Sequence, residues 1–326
     1  MQFTIEARSW PRQEPFAISR SVDYTAETIV VTVSDEGGLR GRGEASGVDY
    51  HGETPSSMTA QIKSIGAHLE RGLSRADLSR LLPAGGARSA VDIALWDIEA
   101  KRSGRSAFEL AGVETPRPLE TAFTIGIRDL DAYEATARGR SDHSLIKVKV
   151  ASDQPLKAIE AVHRGAPNAR LIVDPNMAWS VDQLKEVAPK LTTLGVVLLE
   201  QPIAVGDERL LDGYACPVPL CADELIQDAS DLPRALGRFS VINIKLDKAG
   251  GLTSALQLQN AALRMGFRTM IGCMAGTSLA MAPGLVVGQR CAFVDLDGPL
   301  LLSEDWPDGL SYKMGMVQPP ARSFWG

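Results

Sequence analysis

The chain has 326 residues, of which 44% are hydrophobic, and a formal net charge of -6. This length suits about two domains of ~150 residues, although a β/α barrel alone can take ~250. The charges form no basic cluster that would favour a nucleic-acid partner, and no apolar run approaches the ~18–20 residues of a membrane span.

The N-terminal third contains two segments that alternate between apolar and polar residues, TIEARSW at 4–10 and TIVVTVS at 28–34, which predict strands. Helical patterns follow around 56–72 and 87–103, with apolar residues recurring at a period of about 3.6 in the second. We therefore predict an α+β capping domain over residues 1–117. The C-terminal segment, about 303–326, is expected to pack back on it.

From 118 to 302 the pattern changes to short apolar runs that recur at nearly even intervals and end in polar or charged residues. These runs are TAFTIGI (121–127), LIKVKV (145–150), LIVDPN (171–176), VVLLEQP (196–202), LCADE (220–224), INIKLDK (242–248), TMIGCM (269–274) and FVDLDGP (293–299). Eight buried strands separated by helical segments predict a (β/α)8 barrel. A doubly wound open sheet is the alternative, but it would carry a glycine-rich turn after its first strand, where this chain has TIGIRD.

Acidic residues follow three consecutive barrel strands. Asp174, Glu200 and Asp223 each come directly after an apolar run, and the carboxyl ends of barrel strands meet at one rim. Three converging carboxylates need a cation, and oxygen ligands select a hard one such as Mg²⁺. The alternative is that each acid caps the helix after its strand.

Lysines occupy the second and sixth barrel strands. Lys147 and Lys149 are two residues apart and share a face, and Lys245 lies across the barrel from them. One lysine could remove a proton from a substrate carbon and the other return it from the opposite side. A neighbouring ammonium group and a nearby metal would lower the pKa of such a lysine towards that of a usable base. The alternative is ion pairing with the acids, for Lys245 with Asp223 or Asp247, and Lys147 is either catalytic or tunes Lys149.

The strings KVK, DPN, LLEQP, CADE and NIKLDKAGG resemble those of the enolase superfamily, specifically its muconate-lactonizing-enzyme subgroup, over nearly the whole chain. The resemblance implies an enolase-like modified barrel and one Mg²⁺ per subunit, held by the three acids named above. It also implies proton transfer through a metal-stabilised enediolate. Lys149 would serve the (R) epimer and Lys245 the (S) epimer.

The string FVDLDGP is typical, within this subgroup, of the dipeptide epimerases. The resemblance implies that Asp295 and Asp297 bind the α-ammonium group of a dipeptide; an ordinary turn with helix capping is the alternative. Thr124, Cys273 and Met274 match family positions that line the substrate pocket.

The segment WPRQEPFAISR resembles the specificity loop of Ala-Glu epimerases, with Arg20 as the partner of a substrate carboxylate. Tyr50 and His51 are further lid candidates. In the string DPN, proline stands where the family usually has alanine after the acid. In ADEL, leucine stands where a serine commonly follows ADE. These two differences leave the exact substrate open.

The resemblance implies epimerisation of the C-terminal residue of a dipeptide of the L-Ala-D/L-Glu type, as in recycling of cell-wall peptides. An N-acylamino acid racemase, an o-succinylbenzoate synthase, a cycloisomerase and a non-catalytic metal-binding module remain as alternatives. The four cysteines form no Cys-x-x-Cys pair and the first residues do not read as a signal peptide. We therefore expect a cytoplasmic protein with reduced thiols, and the sequence leaves open whether it forms a homo-oligomer.

Overall fold

The computed structural model describes residues 1–326. The N-terminal region is an antiparallel sheet with strand order β1-β2-β3, covered by five helices. Its strands are β1 (Gln2–Ala17), β2 (Val22–Ser34) and β3 (Arg40–Ser46), and its helices are α1 (Pro55–Ser64), α2 (Gly66–Glu70), α3 (Arg75–Leu81), α4 (Gly86–Ser103) and α5 (Ala107–Leu110). The two predicted strands and both predicted helical regions of this third are present.

Close packing of β3 against α4 holds the cap together. A Cβ atom at Gly43 would lie 2.2 Å from the backbone oxygen of Ala90 and 2.7 Å from the backbone nitrogen of Ala94. The helix therefore rests directly on the strand backbone. Behind this contact, alternate residues of β2 such as Ile29 and Val31 are fully buried in the cap core.

The barrel is an eight-stranded sheet of parallel strands with the sequential order β5 to β12. Its strands are β5 (Phe123–Ile125), β6 (Leu145–Lys149), β7 (Arg170–Asp174), β8 (Val196–Glu200), β9 (Leu220–Ala222), β10 (Val241–Lys245), β11 (Arg268–Gly272) and β12 (Phe293–Val294). Each of the eight predicted runs overlaps one of these strands. The sheet curls so that the Ala122 amide, beside β5, donates to the Val294 carbonyl of β12 at 2.9 Å.

The connections around the barrel are less regular than a (β/α)8 pattern predicts. Its helices are α6 (Leu130–Arg138), α7 (Pro155–Gly165), α8 (Val181–Leu191), α9 (Leu232–Ala235), α10 (Leu246–Ala249), α11 (Leu252–Arg264), α12 (Ser278–Met281) and α13 (Gly284–Gly288). Short 3-10 turns lie at Asp49–His51, Thr192–Leu194, Glu208–Leu211, Ala229–Asp231 and Gly298–Leu301. The last of these follows β12 in place of an eighth full helix. None of the helices is long and apolar enough to cross a membrane.

The C-terminal segment returns to the cap. Its strands β13 (Tyr312–Lys313) and β14 (Met316–Val317) form a small sheet with β4 (Leu119–Glu120). At the chain end, the Gly326 amide donates to Asp97 Oδ1 at 2.8 Å, and its carbonyl accepts from the Ala107 amide at 2.9 Å. These contacts join the chain end to α4 and α5, while the domain division stays a prediction.

The segment expected to be a specificity loop is largely strand. Strand β1 continues to Ala17 because its residues still pair with β2, with Pro11 opposite Thr25 and Phe16 opposite Asp23. The register shifts between Pro11 and Phe16. The resulting hairpin lies over the barrel rim, where the Ala17 carbonyl accepts from the Ile127 amide at 2.7 Å.

Replacing Gly43 by alanine should lower the free energy of unfolding by about 1–3 kcal/mol, because the new methyl group overlaps the α4 backbone. Urea denaturation measures the change. Gly139→Ala is the control, since a Cβ there has its nearest neighbour at 3.5 Å. Equal losses in the two variants would contradict the proposed steric cause.

Candidate active site

The strands of the barrel place charged residues around one rim. Lys149, Asp174, Glu200 and Lys245 are the last residues of β6, β7, β8 and β10, and Asp223 comes directly after β9. Because parallel strands end at the same edge of a sheet, the five side chains face a common space. All five are buried.

The ammonium group of Lys147 lies among three carboxylates. Its Nζ is 3.1 Å from Asp174 Oδ2, 2.9 Å from Glu200 Oε2 and 2.8 Å from Asp295 Oδ2. The side chain is only 2% exposed. A charge so far from water requires such partners, and the three carboxylates require a cation between them.

The other lysines are also ion-paired. Lys149 Nζ lies 2.6 Å from Asp174 Oδ2, and Lys245 Nζ lies 2.7 Å from Asp223 Oδ2, which is one of the pairings expected as an alternative role. Lys248, which the sequence reasoning missed, donates to Asp223 Oδ1 at 2.7 Å. The available signal was a charged residue in NIKLDK three positions after Lys245, on the short helix α10 that turns back to the rim.

The lysine pKa values follow from these neighbours. Burial alone would lower the pKa of Lys147, but Asp295, Glu200 and Asp174 raise it well above its ordinary value. Burial would also lower the pKa of Lys245, but the charge of Asp223 outweighs this effect and raises the pKa well above its ordinary value. The nearest charges to Lys147 are carboxylates, whereas the lowered lysine pKa expected from the sequence depends on a bound metal beside the lysine and stays a prediction.

The pKa values of the three acids diverge. Burial would raise the pKa of Asp174, but Lys149 and Lys147 bring it down to about 2. The two lysines beside Asp223 likewise outweigh burial and hold its pKa well below the ordinary value. Burial and the charge of Asp174 raise the pKa of Glu200 to about 8. One carboxyl group of the three is thus left short of positive charge.

The rim also contains buried oxygen atoms without hydrogen-bond partners. These atoms are Asn176 Oδ1 and Glu224 Oε2, while Glu200 Oε2 has only the ammonium group of Lys147 beside it, at 2.9 Å. Unsatisfied carboxylate and amide oxygens suit a hard cation. In the present arrangement no three His, Cys, Asp or Glu side chains form a ready ligand set for one metal ion, since Lys147 lies between two of the acids.

The Asp-x-Asp pair lies beside the first barrel strand. The Thr124 amide donates to Asp297 Oδ2 at 2.5 Å, and the Thr124 hydroxyl donates to Asp295 Oδ1 at 3.2 Å. Burial and the neighbouring Asp295 raise the pKa of Asp297 to about 7. The structure thus brings both aspartates to one threonine, forming a paired acidic site at the rim.

A single cavity of about 80 Å³ joins most of these groups. Its wall contains Lys147, Lys149, Lys245, Thr124, Cys273, Met274, Asp295 and Asp297, all predicted from the sequence, together with Arg12, Phe16, Ala275, Gly298 and Leu301. Arg12 and Phe16 were missed as site residues. The only signal for them was their position in the segment that resembled a specificity loop.

Arg20 lies on the other side of the rim and is already paired. Its Nη1 is 2.8 Å from Glu224 Oε1, and its guanidinium stacks 5.6 Å from the ring centroid of Tyr50. The Tyr50 hydroxyl accepts from Gln227 at 3.4 Å. His51 is exposed and packs edge-on against Tyr50 at 4.8 Å, so it lies outside the charged rim.

Comparison with known proteins gives matches along the whole chain. A family model described as "Mandelate racemase / muconate lactonizing enzyme, N-terminal domain" matches residues 1–112, and "Enolase C-terminal domain-like" matches residues 131–323. L-Ala-D/L-Glu epimerase from Escherichia coli (strain K12) is 39% identical over 94% of this chain and 96% of its own. N-acetyl-D-glutamate racemase from Pseudoalteromonas sp is 38% identical over 91% and 95%, respectively.

Solved structures give the same result. An enolase family member from Agrobacterium tumefaciens with homology to dipeptide epimerases, with bound sodium and L-Ala-L-Glu, has a TM-score of 0.97 at 38% identity and covers 99% of both chains. Dipeptide epimerase from Methylococcus capsulatus, complexed with Mg and L-Arg-D-Lys, has a TM-score of 0.89 at 27% identity and covers 98% of this chain and 96% of its own. Both similarities extend over cap and barrel together.

Replacing Lys147 by methionine should destabilise the metal-free protein by about 3–5 kcal/mol, because buried carboxylates lose their shared cation. Urea unfolding in the presence of a chelator measures this loss. The control is Lys157→Met, at an exposed lysine that contacts only Gln154, where the change should stay within about 0.5 kcal/mol. Similar effects at the two positions would show that the shared ammonium group is not stabilising.

Proposed function

This chain belongs to the enolase superfamily, in its mandelate racemase and muconate lactonizing enzyme family, and we propose that it epimerises dipeptides at the α-carbon of their C-terminal residue. The family, the enolase-like fold and the isomerase class predicted from the sequence are confirmed by the matches above. A dipeptide of the L-Ala-D/L-Glu type is the proposed substrate.

One observation carries this proposal: a single cavity contains two lysines on facing strands and an acidic pair for an ammonium group. Lys149 ends β6 and Lys245 ends β10, four strands further round a barrel of eight, and Asp295 and Asp297 line the same cavity. A dipeptide has a carboxylate at one end and an ammonium group at the other. The cavity therefore offers carboxylates for the ammonium end and cationic side chains for the carboxylate end.

The proposed metal is Mg²⁺, held by Asp174, Glu200 and Asp223. Supporting observations are the convergence of Asp174 and Glu200 on the single ammonium group of Lys147, the raised pKa of Glu200 and the magnesium of the Methylococcus relative. When bound, Mg²⁺ would supply positive charge beside the substrate carboxylate, where negative charge develops as the α-proton leaves. With the metal bound, the ion pairs between these carboxylates and the lysines would be weaker.

The two lysines would move the proton. A neutral Lys149 would take the α-proton of the (R) epimer, and a protonated Lys245 would return one to the opposite face of the same carbon, giving the (S) epimer. The reverse reaction exchanges their roles, so no net proton is gained or lost. Lys147, paired with three carboxylates, would hold the acids and tune Lys149 by its charge.

Exchange of the α-proton in D₂O, followed by NMR with Mg²⁺ and L-Ala-D/L-Glu, tests these roles. Lys149→Ala and Lys245→Ala should each slow epimerisation by about 100- to 10,000-fold, because each removes a general acid-base group. Lys149→Ala should still exchange the proton of L-Ala-L-Glu, and Lys245→Ala that of L-Ala-D-Glu. Lys157→Ala is the control, and undiminished epimerisation in either site variant would overturn the two-lysine mechanism.

Metal binding can be measured without turnover. Mg²⁺ should raise the melting temperature of the protein, since a ligand that binds only the folded state stabilises it. Glu200→Gln should reduce this shift, whereas the exposed control Glu186→Gln should keep it. A shift that survives in Glu200→Gln would remove Glu200 from the proposed ligands.

Dependence on Asp297 distinguishes dipeptides from N-acylamino acids, the alternative represented by the Pseudoalteromonas relative. Asp297→Asn should raise KM for L-Ala-L-Glu about tenfold or more, because an ammonium group loses its charged partner. N-acetylglutamate has no such group. Turnover of N-acetylglutamate but not of dipeptides by the wild-type enzyme would favour the alternative.

The pH dependence of KM provides a further check. With the pKa of Asp297 raised to about 7, the carboxylate is charged above that pH and neutral below it. Affinity for the dipeptide should therefore fall as pH decreases through about 7. Asp297→Asn should lose this dependence, and an unchanged pH profile in the variant would contradict the assignment.

A further inference from the structure

The two side-chain oxygens of Asp223 have different partners. Oδ1 accepts a hydrogen bond from Lys248 Nζ at 2.7 Å, and Oδ2 lies 2.7 Å from Lys245 Nζ. Lys245 lines the cavity, whereas Lys248 is not part of its wall. Lys248 therefore holds one oxygen of a proposed metal ligand without lining the space that a substrate would occupy.

Glu200, the acid of the neighbouring strand, shows the same division with an uncharged donor. Its Oε1 accepts from the side-chain amide of Asn243 at 2.8 Å, and its Oε2 lies 2.9 Å from Lys147 Nζ. Asn243 is absent from the cavity wall, whereas Lys147 is part of it. Two of the three acids thus have one oxygen held from outside the cavity, by a neutral donor in one case and a charged donor in the other. This shared arrangement points to orientation of the carboxylate, rather than neutralisation of its charge.

The ammonium group of Lys248 has three donors, and all three are used. Besides Asp223 Oδ1, its Nζ donates to the Asp223 carbonyl at 2.5 Å and to the Asn243 carbonyl at 3.2 Å. The side chain is 2% exposed. Lys248 thus ties both the backbone and the side chain of Asp223 to strand β10, which fixes the direction of the carboxylate.

The short helix α10, which carries Lys248, is held in turn by the cap. Arg88 of α4 donates to the Ala249 carbonyl at 2.6 Å and to the Gly250 carbonyl at 3.1 Å, at the end of α10. A Cβ atom at Gly250 would lie 2.2 Å from Arg88 Nε, so the two segments are in close contact. The position of Lys248 is therefore fixed by the cap and the barrel together.

We propose that Lys248 is a positioning residue, which holds Asp223 in the orientation that serves both the proposed Mg²⁺ site and Lys245. This assignment rests on the proposed function and adds a residue that acts on the site from outside the cavity. Outer donors of this kind orient metal ligands, so that the ligand does not have to be ordered when the metal binds. Without Lys248, the Asp223 carboxylate would be free to turn away from the position where it meets Lys245.

A role in charge balance alone predicts the opposite effect on metal binding. If Lys248 only neutralised Asp223, its removal would leave more negative charge beside the metal, and a cation would bind more tightly. If Lys248 orients Asp223, its removal weakens cation binding. The sign of the change in Mg²⁺ affinity therefore distinguishes the two roles.

Lys101 of α4 provides a matched control, because it makes the same kind of contact away from the rim. Its Nζ donates to Asp97 Oδ2 at 2.8 Å and to the Arg40 carbonyl at 3.0 Å. The side chain of Asp97 is fully buried. Lys101→Met, like Lys248→Met, removes an ammonium group from a buried carboxylate and a backbone carbonyl.

Calorimetric titration with Mg²⁺ in the absence of substrate tests the proposal. Lys248→Met should lower the affinity for Mg²⁺ by about 10- to 100-fold, and Lys101→Met should keep the wild-type affinity. Unchanged or tighter binding in Lys248→Met would overturn the assignment. An equal loss in Lys101→Met would also overturn it, because the effect would then follow from general destabilisation.

Exchange of the α-proton at saturating Mg²⁺ gives a second readout, because Asp223 contacts Lys245 and Lys149 pairs with Asp174 instead. Lys248→Met should slow exchange from L-Ala-L-Glu, the proposed substrate of Lys245, several-fold more than exchange from L-Ala-D-Glu. Equal slowing of the two would contradict a role that acts through Asp223.

If Lys248→Met does not fold, Lys248→Gln decides, since glutamine keeps a donor but no charge. It should weaken Mg²⁺ binding by a smaller factor, and unchanged or tighter binding would refute the proposal. Metal binding is measured apart from turnover. Wild-type protein that binds Mg²⁺ but exchanges no α-proton would refute the proposed reaction, while the calorimetric comparison would still decide the role of Lys248.

Discussion

The ammonium group of Lys147 is the interaction on which the barrel rim depends. It lies within 3.1 Å of carboxylates that follow or end three different strands, β7, β8 and β12. All four charged groups are buried, so each requires the others. Because Lys147 belongs to the second barrel strand and Asp295 follows the eighth, the same contact that balances charge also ties the two ends of the curled sheet together.

The cap depends on this rim in turn, through one buried carboxylate of the cap and one of the barrel. Glu44 of β3 accepts from the Thr277 amide at 3.1 Å and from the Trp306 indole at 3.2 Å. Burial raises the pKa of Glu44, and these donors offset the effect. Asp247, just after β10, accepts from the Ser46 amide at 3.0 Å. The cap is thus fixed to the barrel at Asp247, Thr277 and Trp306, and its hairpin holds Arg12 over the cavity.

The fold was largely predictable from the chain because its signals are local. Each barrel strand is a short apolar run ended by a polar residue. In the cap, alternation of apolar and polar residues predicted the strands, and apolar residues at a period of about 3.6 predicted a helix. The acids at the strand ends were identifiable for the same reason, since a parallel barrel brings all carboxyl ends to one rim. Less predictable were the four-residue helix α9 after β9 and the 3-10 turn after β12, which stand where full crossover helices were expected. The extension of β1 was also missed, because pairing with β2 overrides a loop-like composition.

The sequence by itself determined the strand order, the rim positions of Lys149, Asp174, Glu200, Asp223 and Lys245, and the resemblance that named the family. Those features depend on spacing within single segments. Only the tertiary structure decided which charges meet: that Lys147 lies between acids of other strands, that Lys248 joins Asp223, and that Arg20 pairs closely with Glu224 while Arg12 has only the more distant Asp23. Such contacts join residues far apart in the chain, and their energies depend on burial and distance, which no local pattern encodes.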